Sequence, residues 1–118
     1  EAYKGPSIVI AYSPCINHGM KKGMGKSQVE AKLAVECGYW TLLRFDPRRA
    51  EEGLNPLQID SKEPNWDLYD EYLMGETRYA QLKNINPEKA EELLAINKAE
   101  AKRRYAMYQK YLAMDYSK

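Results

Sequence analysis

The chain has 118 residues, 44% hydrophobic and 30% charged, enough to bury one core and too few for several domains. Lysine and arginine number 18 against 17 acidic residues, a formal net charge of +1, so no global field draws it to nucleic acid or a membrane surface; neither is an expected partner. Its one long apolar run, residues 8–12, is far too short for a secretory segment or a membrane span, and two cysteines argue against a disulfide framework and for a cytoplasmic setting.

The charge is unevenly placed. Residues 1–50 carry 8 basic and 4 acidic side chains, 51–100 carry 5 and 12, and 101–118 carry 5 and 1. The acidic middle reads as a solvated face, with a basic partner surface as the alternative. The opening EAYKGPS has no initiator methionine and runs almost directly into a strand, the expectation for a segment of a larger protein.

Ile8, Val9, Ile10, Ala11 and Tyr12 form a β-branched run without alternation, the pattern of a parallel strand covered on both faces. Pro14 ends it. Gly19, Gly23 and Gly25 then mark an irregular connection, and a helix is predicted from Ser27, with Val29, Leu33, Ala34 and Cys37 on its apolar stripe and Gly38 just past its end. YWTLLRFDP reads as a second strand stopping at Asp46-Pro47. Strand, turn, helix and strand in that order predict a βαβ unit with a right-handed crossover, hence an α/β protein containing part of a Rossmann-like parallel sheet followed by helices.

Residues 47–65, rich in Pro, Gly, Asn and charge, read as a surface excursion with one short extended piece at Leu57 to Asp60. Helical spacing returns from Trp66 to Asn84, with Leu68, Tyr72, Tyr79 and Leu82 inward and an interruption near Gly75. Asn86-Pro87 is a good N-cap and first-turn pair, and one long helix is predicted to about Met114, its stripe formed by Leu94, Ala101, Tyr105, Tyr108 and Leu112. That stripe needs a surface to pack on. The expected organisation is therefore a βαβ segment over 1–46, an excursion over 47–65 and a helical segment over 66–118, all one partial domain.

GMKKGMGKS invites comparison with a phosphate-binding P-loop, but Gly19 lies six positions before Gly25 where the motif needs five, and Met20 holds the required glycine's place. A glycine-rich turn with Lys21, Lys22 and Lys26 before a helix still suits an anion; solvated lysines on a tight turn are the plainer reading. Cys15 sits just past a buried strand's C-terminal end, where open α/β sheets place ligands and chemistry. His18 is the only histidine, three residues away, and nothing in the spacing orders the two into a nucleophile and base. A metal centre needs about four ligands, so Cys15 alone can be only one corner of one. Cys37 reads as a small buried hydrophobe, and Asp46, Asp60 and Asp67 as capping and turn residues. KRRYAMYQKY mixes base and aromatic as single-strand binders do, but on a helix its tyrosines fall partly on the packing stripe.

Taken together, GPSIVIAYSPCINHG, KGMGKS, AVECGYW, LLRFDPR, NPLQIDSK and YLMGETRYAQL resemble the C-terminal part of the pyruvate:ferredoxin (flavodoxin) oxidoreductase family. The resemblance implies half of a thiamine diphosphate-binding fold from a dimeric, oxygen-sensitive enzyme of anaerobic metabolism. That enzyme uses thiamine diphosphate, Mg2+ and 4Fe-4S clusters to convert pyruvate and coenzyme A into acetyl-CoA and carbon dioxide, passing electrons to ferredoxin or flavodoxin. It also assigns Cys15 as the closing ligand of the cluster nearest the cofactor, with Asn17, His18 and Gly19 as candidates for contacts around that ligand. The chain lacks the GDG motif and the further cysteines of such enzymes, so alone it is expected to bind neither cofactor nor cluster and to be inactive. The competing expectation is an independent module that binds a phosphate-bearing ligand or nucleic acid through the glycine-rich turn or the basic last helix.

Overall fold

A computed structural model describes residues 2–15, 19–21 and 23–115. After a 3-10 turn at Met24–Lys26, the elements in chain order are α1 (Ser27–Glu36), β1 (Leu43–Phe45), α2 (Arg48–Glu51), β2 (Leu57–Ile59), a second 3-10 turn (Trp66–Leu68), α3 (Tyr69–Gly75), α4 (Thr77–Ile85) and α5 (Pro87–Ala113). The fold is helix-rich with one small sheet among the described residues: β1 and β2, antiparallel, pairing Leu43 with Ile59, Arg44 with Gln58 and Phe45 with Leu57.

The helices begin and end where local chemistry dictates. Gly38 follows α1 at φ 88°, a conformation open to glycine, and a Cβ there would stand 2.6 Å from the Trp66 ring. The Asn86 side chain accepts a hydrogen bond from the Lys89 amide at 3.1 Å and Pro87 opens α5, as the sequence predicts. The expected interruption near Gly75 is Glu76, whose extended backbone (φ −83°, ψ 117°) separates α3 from α4. At the far end of α5, the Asn55 side-chain amide donates to the Tyr111 and Leu112 carbonyls at 3.2 and 2.7 Å, satisfying acceptors that the helix leaves without partners.

The core joins α1, α3 and α5 through Leu33, Ala34, Cys37, Tyr69, Tyr72, Leu73 and Ala101. The predicted α5 stripe faces it: Ala101 is buried, and Leu94, Tyr105, Tyr108 and Leu112 are half-buried. On α1 the stripe differs from expectation. Val29 is half exposed at 50%, and its place is taken by Glu30, fully buried at the i, i+3, i+4, i+7 positions with Leu33, Ala34 and Cys37.

The predicted strand at 8–12 makes no ladder among the described residues, and Ile8, Val9 and Ile10 are 87%, 90% and 77% exposed. Among the described residues the parallel βαβ unit is thus not formed. A strand needs a neighbour for its amides, and β1 instead takes the nearby excursion segment β2, whose extended piece falls where the sequence places it. The accessible surface, 8839 Å², exceeds the roughly 6,600 Å² expected of a folded monomer of this mass. The radius of gyration, 17.3 Å, likewise exceeds the roughly 13 Å of an autonomous domain of about this length. An open cleft of about 940 Å³ lies between Ile8, Ile10, Leu43 and Phe45 on one side and Tyr108 of α5 on the other. No helix among the described residues is long and apolar enough to cross a membrane.

Candidate functional site: the cysteine-bearing loop moored at the α3–α4 break

The exposed run 8–11 turns inward at Tyr12, whose hydroxyl shares a hydrogen bond with that of buried Tyr72. Pro14 is buried and Cys15 half-buried, so the loop enters the body of the molecule where the thiol stands. The next described stretch is tied down by backbone. Met20 bridges Glu76 in antiparallel fashion, the Lys21 amide donates to Gly75 O at 3.0 Å, and the Thr77 amide donates to Gly19 O at 3.4 Å. Gly19 has φ 81°, and a Cβ there would crowd Thr77 Oγ1 at 3.2 Å, so glycine fits both the backbone and the close approach.

Beneath this mooring lie two carboxyl groups, Glu30 (fully buried) and Glu76 (7% exposed). A Cβ on Gly75 would come within 2.8 and 3.0 Å of the Glu30 oxygens, so the glycine makes room for that carboxylate. Burial, reinforced by the charge of Glu30, raises the Glu76 pKa, and Glu76 Oε1 has no hydrogen-bond partner among the described residues. Neither glutamate was singled out by sequence reasoning. The available signal was Glu30's place on the α1 apolar stripe, where a charged residue is out of pattern.

The Lys21, Gly23 and Lys26 amides are engaged with Gly75, Met20 and Gly23 carbonyls, and carboxylates lie below. A phosphate cradle needs free amides, and those three are not free. An iron–sulfur cluster asks less of this chain: one thiolate at the edge of the body, which Cys15 can supply. Among the described residues no group of three or more His, Cys, Asp and Glu side chains could hold a metal, so any complete ligand set draws on other residues. Asn17 and His18 lie outside the described residues; Gly19 is placed at the mooring, where its carbonyl accepts from the Thr77 amide.

Cys37 is fully buried, its Sγ donates to Ala34 O at 3.6 Å, and burial pushes its thiol pKa up, the behaviour of a core residue. Of the three aspartates, Asp46 accepts from the Arg48 amide at 3.1 Å and Asp60 pairs with Arg44 at 2.6 and 2.7 Å. The turn at Trp66 is capped by Asn65, not by Asp67.

No family model matches the chain. Similar proteins are nevertheless oxidoreductases by name. The chain is 54% identical over 93% of its length to a pyruvate:ferredoxin oxidoreductase of Moorella thermoacetica, and 48% identical over 93% to a pyruvate-flavodoxin oxidoreductase of Klebsiella pneumoniae. It is 48% identical over 79% of its length to a mitochondrial pyruvate dehydrogenase [NADP(+)] of Euglena gracilis. It spans only 9% of the first two relatives and 5% of the third. The chain belongs to the pyruvate:ferredoxin (flavodoxin) oxidoreductase family and corresponds to a segment of its members.

Proposed function

We propose that this chain is the C-terminal half of the thiamine diphosphate domain of a cytoplasmic pyruvate:ferredoxin (flavodoxin) oxidoreductase, and that it delivers Cys15 as one ligand of the 4Fe-4S cluster nearest the cofactor. The observation that carries the reading is the bare run Ile8–Ile10, apolar and exposed, leading directly to a half-buried cysteine. A neighbouring strand from the remainder of the polypeptide covers that run, extends a Rossmann-like parallel sheet and fills the cleft beside β1. The stretches 1–46, 47–65 and 66–118 then act as one partial domain.

In this reading the parent, a homodimer, oxidatively decarboxylates pyruvate with coenzyme A to acetyl-CoA and carbon dioxide and reduces ferredoxin or flavodoxin. Thiamine diphosphate and Mg2+ are held by other parts of the polypeptide, since the GDG motif is not in this sequence. The cluster supplies one-electron transfer when bound. What this chain contributes is a thiolate fixed by the Met20–Glu76 bridge a few residues downstream and by the Tyr12–Tyr72 hydrogen bond upstream. In this reading the isolated chain, which brings a single cysteine to the cluster, is inactive.

The test is Cys15→Ala in the full-length protein: the EPR signal of the nearest cluster should disappear and electron transfer after decarboxylation should stall. A spectrum identical to wild type removes the ligand role.

A further inference from the structure

Helix α5 has a second face besides the one that packs on the core. Leu93, Ile96 and Met107 are large and apolar, yet between 41% and 50% exposed. They belong to the series Leu93, Ile96, Glu100, Arg103, Met107 and Lys110, whose alternating steps of three and four are the two-in-seven seam of a helix that pairs with another helix. The stripe that faces the core, from Leu94 through Ala101 to Leu112, is separate from it. Beside the seam runs an apolar groove of about 390 Å³, with Leu93, Ile96 and Glu100 on the α5 wall and Met74, Tyr79 and Leu82 on the α3–α4 wall.

The charged centre of the seam chooses the partner and its direction. Residues 87–100 carry 4 acidic and 2 basic side chains, whereas 101–113 carry 4 basic and no acidic ones. In a parallel pair of such helices Glu100 would meet Glu100 and Arg103 would meet Arg103, like charges in the middle of the interface. In an antiparallel pair Glu100 of each copy lies opposite Arg103 of the other. The same register sets Ile96 opposite Met107 and Leu93 opposite Lys110, whose methylenes cover the leucine, and a two-fold axis repeats each contact. The acidic half of each helix then runs along the basic half of its mate, and Met107 of the second copy stands at the mouth of the groove. Within one copy the Arg103 guanidinium donates to Glu100 at 2.7 and 3.0 Å, and Lys89 to Glu92 at 2.8 Å. These pairs are exposed and worth little as they stand, so they are open to re-pairing between copies.

We infer that this face of α5 is a self-docking surface, on which α5 of a second copy lies antiparallel across a two-fold axis centred between Glu100 and Arg103. The inference rests on the reading of the parent as a homodimer, for which it names the surface, and nothing in it depends on Cys15. The helix, 27 residues and so about 40 Å long, gives the two copies a seam of several turns.

The experiment uses the full-length protein carrying Ile96→Cys and Met107→Cys, two exposed positions whose replacement leaves the core intact. It is treated anaerobically with dithiodipyridine, and bridged peptides are identified by mass spectrometry. On one helix these positions stand about 16 Å apart, well beyond the roughly 7 Å that a disulfide tolerates between Cα atoms, so a 96–107 bridge joins two copies. It should form in the double variant, and neither single variant should bridge to itself. Adding Glu100→Arg sets arginines opposite one another and should slow bridging about fivefold; adding Arg103→Glu as well should restore the rate. A protein that sediments as a dimer but forms no 96–107 bridge overturns the docking surface and leaves the homodimer reading standing. So does a bridge from position 96 to itself, which marks the parallel register, or from either cysteine to another part of the polypeptide. A rate unchanged by Glu100→Arg overturns the antiparallel pairing, and a monomer overturns both readings.

Discussion

Two parts of this molecule treat the same physical demand in opposite ways. The helical part, 66–113, satisfies its backbone within each helix and buries Tyr69, Tyr72, Leu73 and Ala101 against α1. The leading part, 2–12, presents three large β-branched side chains to solvent and has no ladder among the described residues. Helices close their hydrogen bonds over four residues, whereas a central strand borrows all of its bonds from elsewhere in the sequence. One part is therefore structured by what this chain contains, and the other has no ladder partner among the described residues.

The largest expected effects test that contrast directly. Leu73→Ala should cost about 2–5 kcal/mol wherever it is made, because its cavity opens inside the helical core. Ile8→Ala should stay within about 0.5 kcal/mol in the isolated chain and cost about 2–5 kcal/mol in the full-length protein. Urea unfolding of both variants in both contexts measures this, and equal costs for Ile8→Ala in the two contexts would break the comparison. Next in size is Gly75→Ala, which pushes a methyl group against the Glu30 carboxylate and should cost about 1–3 kcal/mol. Amide exchange should show its effect concentrated at Lys21 and Thr77, the donors that moor the loop.

Asn86→Ala removes the cap of α5 and should cost about 1 kcal/mol. Thermal melts should show it equally in both contexts, since the cap belongs to the self-sufficient part. The smallest effect is electrostatic. The Arg48 guanidinium holds the pKa of the half-buried Asp46 carboxyl at about 2. A depressed acid stabilises the fold above its unfolded pKa of about 4 and loses that contribution as pH falls toward the folded value. Acid titration of Asp46→Asn should therefore differ from wild type only in that window, and slightly, because solvent screens the pair.

Legibility in the sequence follows the same division. Asn86-Pro87, Gly38 and the α5 stripe were readable because each signal acts within a turn of the helix it shapes. The residues 8–12 read as a strand from composition, but a strand's partner is not written in its own residues. The pairing of β1 with β2 is not legible in either segment, although an extended piece at 57–60 is. At the site, the cysteine and glycine-rich loop stood out by residue type. Glu30 did not, because a glutamate in a helix ordinarily faces water; its burial depends on Gly75, 45 positions later in the chain.

The two hydrogen bonds from Asn55 to the last turn of α5 carry a consequence for how this segment can change over evolutionary time. They clasp a loop that looks expendable to the tip of the longest helix. Lengthening 47–56 by even one residue would swing that clasp off its carbonyls and loosen the helix tip, whereas insertions at the surface of 60–64 leave it untouched. Tolerance for insertions should therefore be lopsided within a single excursion, generous on one side of β2 and nearly absent on the other.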